Sequence, residues 1–230
     1  RVHHAINPEY IDKNYSQILI IWDKLFGTFQ EEKADIPPVY GITRPVQTWN
    51  PIKINFQHLW LLFKDAWRTS NLNDKFRIWM MPTGWRPADV AEKYPVYKIN
   101  DVYHFEKYDT HASKPQLIWY WIQILLTLFF ISYLFGNIAY INSLNPFYIY
   151  IYGIFIFLSV YAYTDLMDRN KNAWIWETIK NLFGAAIILY IGDWFGSSKW
   201  SLGINYVLFG YFVAATLITY YLSRKELVTN

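Results

Sequence analysis

His3 and His4 are the residues of this 230-residue chain whose type and spacing point most directly to chemistry. Inserting oxygen from O₂ into an unactivated C–H bond needs a redox metal, because no side chain can make that oxidant. Neutral imidazole is a good ligand for iron and survives oxidising conditions that destroy thiolates. Arg1-Val2-His3-His4 reads as the last four residues of an H-x-x-H-H box whose first histidine would sit immediately before Arg1. In such a box the first and fourth residues lie one helical turn apart on one face. The fifth points about 100° further round and reaches a second metal or another vertex. A bare pair of histidines is a weak signal, since terminal residues are usually poorly ordered.

The residues that follow give the pair its weight. Asn7-Pro8-Glu9-Tyr10-Ile11-Asp12-Lys13-Asn14-Tyr15 leads into Ile20-Ile21-Trp22-Asp23-Lys24-Leu25-Phe26-Gly27-Thr28-Phe29. With the histidines, this stretch resembles the third histidine box of the membrane-bound fatty acid hydroxylase/sterol desaturase superfamily, closest to its alkylglycerol monooxygenase-like branch. Tyr40 to Pro45, Trp49-Asn50-Pro51, Pro82 to Pro87 with Gly84-Trp85, and Asn172 to Thr178 extend the resemblance over most of the chain.

The resemblance implies that His3 and His4 are metal ligands in the C-terminal part of a di-iron membrane oxygenase, with two irons per full-length chain. It implies a lipid substrate hydroxylated at a C–H bond, with ether-lipid cleavage and a tetrahydrobiopterin reductant in the animal members of the branch. The superfamily also acts on sterols, fatty acids and carotenoids, so the lipid and the electron donor stay open. Asp12 and Asn14 are the second rank of site residues. They either accept imidazole N–H bonds and fix the tautomers, or, as suits Asn14 better, cap a helix beginning near Tyr15. His58, His104 and His111 read as interfacial. With two of five histidines in a box, the chain by itself is expected to be inactive. The reading from a different class is a non-catalytic, membrane-embedded structural or binding module.

Stepwise hydropathy predicts the elements that must position these groups. Aromatic residues make up 21% of the chain, and from Leu117 onward charges fall almost entirely between apolar runs. Leu117–Phe135, Phe147–Tyr163 and Leu202–Leu222 have the length and apolarity of membrane spans. Leu182–Ile191 reaches span length only with help from Trp174–Thr178 and Trp194–Phe195 at its edges. The expected fold is an all-α membrane protein: a bundle of about four transmembrane helices after a cytoplasmic, amphipathic and loop-rich segment. The expected divisions are 1–116 as the C-terminal end of the histidine-box catalytic domain with interfacial helices, 117–222 as a four-span membrane domain and 223–230 as a tail. Lys and Arg are absent from Gly136–Pro146 but present as Arg169, Lys171 and Lys180 in the next link. The positive-inside rule then puts that link, the tail and the His3-His4 half on the cytoplasmic side.

Within the first half, Tyr15–Phe26 and Phe56–Trp67 have helical apolar spacing. Pro82–Pro95 reads as a loop and Tyr94–Tyr97 as a short strand. Asp165, Asp168 and Glu177 fall at span ends and read as markers of topology. Zero Cys excludes a disulfide framework and any thiolate-ligated metal. A net charge of +3, dispersed along the chain, gives no basis for nucleic-acid binding.

Overall fold

A computed structural model describes residues 1–16 and 18–225. Among the described residues the regular elements are helices: α1 (Ile21–Phe26), α2 (Pro51–Arg68), α3 (Leu72–Arg77), α4 (Ala88–Lys93), α5 (Lys114–Leu144), α6 (Phe147–Met167), α7 (Ala173–Ile191) and α8 (Ile204–Lys225). The chain forms two compact units. One comprises residues 1–47 and 56–108, the other residues 48–55 and 109–230. The expected tail lies outside the described residues from 226 onward, and Arg224 falls inside α8.

The second unit is an up-down-up-down bundle. At one end Trp119 near the start of α5 donates its indole N–H to Thr219 near the end of α8, at 3.0 Å. Leu166 and Ala173 join the same apolar cluster from the end of α6 and the start of α7. At the other end Tyr133, Tyr152, Phe155, Trp194 and Phe212 interlock, with the Trp194 and Phe155 rings 4.8 Å apart. Gly184 lets α7 approach α8 here, because a Cβ at that position would stand 2.5 Å from the Phe212 ring.

Among the described residues three helices, α5, α6 and α8, are long and apolar enough to cross a membrane. The helix α5 has 31 residues, about 46 Å at 1.5 Å per residue, and so outruns a hydrocarbon core of roughly 30 Å. It starts three residues before the expected Leu117 because Ser113 and Gln116 form a capping box. It continues past Gly136, where the Asn137 amide bonds back to the Tyr133 carbonyl at 2.9 Å. A chain that runs the same way in α6 and α8 must return through α7, whose 19 residues make it nearly as long as α8.

Glu177 is not a marker at the end of a span. It lies more than one turn inside α7 and is 1% exposed, as is Lys180. Lys180 Nζ donates to Glu177 Oε1 at 2.6 Å and to the Tyr211 hydroxyl at 3.1 Å. The Tyr211 hydroxyl donates to Gln123 Oε1 at 2.7 Å, and Gln123 Nε2 returns to Glu177 Oε1 at 3.1 Å. Asn181 Nδ2 donates to the same Glu177 oxygen at 3.2 Å and to Thr216 at 2.8 Å. One carboxylate thus ties α5, α7 and α8 together inside an apolar bundle. A buried charge is tolerable there only because it is paired and hydrogen-bonded.

Asp165 and Asp168 do stand at the end of α6, and both are engaged. Lys53 Nζ meets Asp165 Oδ1 at 2.5 Å, and Asn170 Nδ2 donates to its other oxygen at 2.8 Å. The Trp49 amide donates to Asp168 at 2.6 Å, as does the Thr48 hydroxyl. Asn50 then starts α2, accepting from the Ile52 and Lys53 amides, with Pro51 at the first helical position.

The first unit departs from its sequence expectations in three places. The spacing over Tyr15–Phe26 yields a helix only from Ile21, because Asp23 accepts from the Tyr15 and Ser16 amides and holds them out of the helix. Gly27 ends it with φ 73°, as a stop signal should. The expected loop after Pro82 contains α4, started by Pro87, whose fixed φ suits a helix entrance. No strand forms at Tyr94–Tyr97; the Tyr94 carbonyl instead accepts from Arg86 at 2.8 Å. Arg86 also grips the buried Asp65 of α2 with two nitrogens, at 2.5 and 3.0 Å.

Candidate metal-ligand pair

His3 and His4 sit in a short 3₁₀ turn, Val2–His4. The turn is pinned on both sides by apolar residues, with Val2 and Ala5 packing against Tyr10. Ala5 pairs with Tyr40 in an isolated antiparallel bridge, in which Ile6 N donates to Val39 O at 2.8 Å and Gly41 N to His4 O at 3.2 Å. The fully buried Asn7 extends this pairing, accepting from Val39 N at 2.7 Å and donating to Pro37 O at 3.2 Å. The Tyr10 hydroxyl donates to Ile36 O at 2.7 Å. Arg1, at the chain end, bonds the Tyr40 hydroxyl at 3.0 Å and Glu32 at 3.1 Å. These contacts fix the backbone and leave both imidazoles exposed.

The two rings stand 5.3 Å apart, nearly perpendicular at 77°. His3 Nδ1 lies 3.3 Å from the Lys13 carbonyl oxygen. A protonated Nδ1 donating there leaves the Nε2 lone pair free, which is the arrangement metal-binding histidines commonly use. Lys13 presents this carbonyl because the residues on either side of it are left-handed: Asp12 has φ 57° and Asn14 has φ 53°. Short polar side chains tolerate that region better than others.

Asn14 is therefore not a helix cap. Its amide closes a reciprocal pair with the Gln30 backbone, donating to the carbonyl at 2.7 Å and accepting from the amide at 2.9 Å. Asp12 faces the Tyr15 phenol, whose pKa it raises by accepting its hydrogen bond, with burial adding to the effect. The Tyr15 ring in turn meets the His3 ring edge-on at 6.1 Å. Asp12 and Asn14 thus stand beside two neighbours of the His3 ring, Tyr15 and the Lys13 carbonyl. Sequence reasoning missed these two neighbours. The legible signal was a pair of left-handed-tolerant residues flanking one position.

Asp23 secures the far side of this loop. The Thr28 hydroxyl, at 2.7 Å, together with the Ser16 and Tyr15 amides, holds its carboxyl below the usual carboxylate range.

The other histidines are elsewhere. His58 is exposed on α2, His104 is exposed and 2.9 Å from Asp101, and His111 is exposed in the link before α5. Among the described residues no three His, Asp or Glu side chains gather as a metal site. The pair fits iron as two donors of a larger set: imidazole nitrogens, adjacent, solvent-facing and with a carbonyl behind one ring.

The chain is 33% identical to the alkylglycerol monooxygenase of Homo sapiens over 186 residues, which cover 79% of this chain and 40% of the human protein. It is 41% identical over 88 residues to that of Xenopus tropicalis, and 28% identical over 179 residues to that of Danio rerio. It spans less than half the length of each of these relatives. No family model matches the chain. No solved structure matches it.

Proposed function

From a chain similar to alkylglycerol monooxygenases over most of its length, we propose the C-terminal part of an iron-dependent, membrane-bound lipid monooxygenase of the fatty acid hydroxylase kind. The observation that carries the reading is the oriented pair: two adjacent imidazoles on a pinned turn, with the Lys13 carbonyl behind His3. His3 and His4 would hold iron through their free nitrogens, and the remaining donors would come from polypeptide outside these residues. Bound there, a pair of irons would supply activation of O₂ for insertion into a C–H bond of the lipid.

The chain's own residues have defined tasks in this scheme. With the His3 proton on Nδ1, facing the Lys13 carbonyl, Nε2 would be the nitrogen left to bind a metal. The Asp12–Tyr15 contact holds the phenol against the His3 ring and limits its rotation. The Ala5–Tyr40 bridge keeps His4 from fraying.

The substrate class proposed is an ether lipid, cleaved after hydroxylation beside the ether oxygen, with a reduced pterin such as tetrahydrobiopterin as electron donor. Its support is the name that the human relative carries. Oxygen uptake by the complete protein given a 1-O-alkylglycerol and tetrahydrobiopterin is the expected result. Uptake with sterols or free fatty acids instead would redirect the substrate assignment.

The active-site side is proposed to be cytoplasmic, on the strength of Arg169 and Lys171 after α6 and Arg224 at the end of α8. Lys171 is exposed, so Lys171→Cys should react with an impermeant maleimide only after cells are opened. Labelling of intact cells would reverse the orientation.

A further inference from the structure

Three helices of the first unit, α1, α2 and α3, turn their apolar residues outward, the reverse of a soluble fold, whereas α4 buries Val90. In α1 the residue turned inward is Asp23, 2% exposed, while Trp22, Leu25 and Phe26 face out, Phe26 at 73%. In α2 the buried residue is Asp65, 1% exposed, while Trp60, Phe63 and Trp67 face out, Trp67 at 87%. The helix α3 repeats the pattern, with no buried residue and with Phe76 exposed at 74%. The inward carboxylates are fully engaged, Asp23 by Thr28, Ser16 and Tyr15, and Asp65 by Arg86. The exposure is therefore not a loose end of packing. The inner faces of α1 and α2 are pinned by polar pairs, and their apolar stripes are what they present outward.

We propose that these outward faces lie in the interfacial zone of a lipid bilayer, making the first unit a monotopic membrane-binding body. Three observations select lipid as the occupant. The stripe on α2 runs through positions 56, 60, 63 and 67, one continuous helical face, as in helices that lie in the membrane plane. It is rich in Trp and Phe, the residues that favour the boundary between headgroups and acyl chains. The first turn of α2 is itself fixed to the end of the membrane-capable α6 through Lys53 and Asp165. The helix therefore starts at the end of a span. This inference does not depend on the oxygenase reading, and it would stand if no iron were ever bound.

The chain contains no Cys, so single-Cys variants carry a fluorophore at one defined place. Leu25→Cys, Trp60→Cys and Phe63→Cys, each labelled with bimane, are compared with Glu31→Cys on an exposed loop. The full chain is reconstituted in phosphatidylcholine/phosphatidylserine vesicles. Quenching is read with lipids bearing a nitroxide at acyl carbon 5 and, separately, with aqueous iodide. Labels at 25, 60 and 63 should be quenched several-fold more by the lipid nitroxide than the label at 31, and several-fold less by iodide. Iodide quenching equal to that at 31 would overturn the proposal. Protection from both quenchers would overturn it too, because the faces would then be covered by protein, another copy of the chain included. All three positions are exposed, so loss of folding at one leaves two independent readings.

Discussion

Lys180→Met should lower the unfolding free energy of the chain in detergent or lipid by about 3–5 kcal/mol, the cost of leaving one half of a buried ion pair alone. Glu177 would keep two amide donors, Gln123 at 3.1 Å and Asn181 at 3.2 Å, but lose the ammonium at 2.6 Å. Glu177→Gln should cost a similar amount, because it leaves the buried Lys180 ammonium without its counter-charge. The double variant Glu177→Gln/Lys180→Met should lose less than the two single losses added together, since no uncompensated charge remains. Denaturant midpoints for the four proteins give the cycle. Simple additivity would show that the pair is not a coupled unit and that α5, α7 and α8 are held by packing alone.

His3→Ala and His4→Ala should each abolish lipid-dependent oxygen uptake in the complete protein, because each removes a donor that no neighbouring side chain can replace. The pair lies on the exposed side of a turn whose pinning contacts come from Val2, Ala5 and the backbone. Folding should therefore survive both substitutions, which separates loss of the site from loss of the protein. Asn14→Ala gives the graded comparison. It breaks both bonds to Gln30 and puts a Cβ without polar compensation into a left-handed residue. The Lys13 carbonyl then no longer sits reliably behind His3. A positioning loss of this kind should lower iron affinity about ten- to a hundredfold without eliminating the site. Asn14→Gly relieves the backbone but not the lost clamp, so it should recover little iron affinity. Full recovery would assign the effect to backbone strain instead.

The parts of the fold that were legible in the sequence are those governed by long-range solvent preference. Uncharged runs placed α5, α6 and α8, because a span has to be apolar along its whole length. The same logic misread Glu177 and Lys180. Charge was taken as the mark of a boundary, whereas here two charges and their polar neighbours cancel one another inside the bundle. Such pairing depends on residues as distant as Gln123 and Tyr211, which no local pattern reveals. In the first unit, helical spacing over Tyr15–Phe26 was real but described a face turned outward. The residue that this helix buries is its aspartate, Asp23.

The candidate site was legible in part for a similar reason. Residue chemistry picked out His3 and His4, and the tolerance of Asp and Asn for unusual backbone marked positions 12 and 14 as special. What those two do could not be read locally. Asn14 answers to Gln30 and Asp12 faces Tyr15, while the hydrogen bond behind His3 comes from the main chain of Lys13. A backbone carbonyl has no letter in the sequence.

Metal analysis of the complete protein beside its His3→Ala/His4→Ala double variant tests the central claim most directly. The account predicts two irons bound per complete protein and loss of stoichiometric iron in the folded double variant. It also predicts no stoichiometric iron in the purified 230-residue chain, which holds five histidines of which two belong to the pair. Unchanged iron content after removal of both histidines would contradict the account.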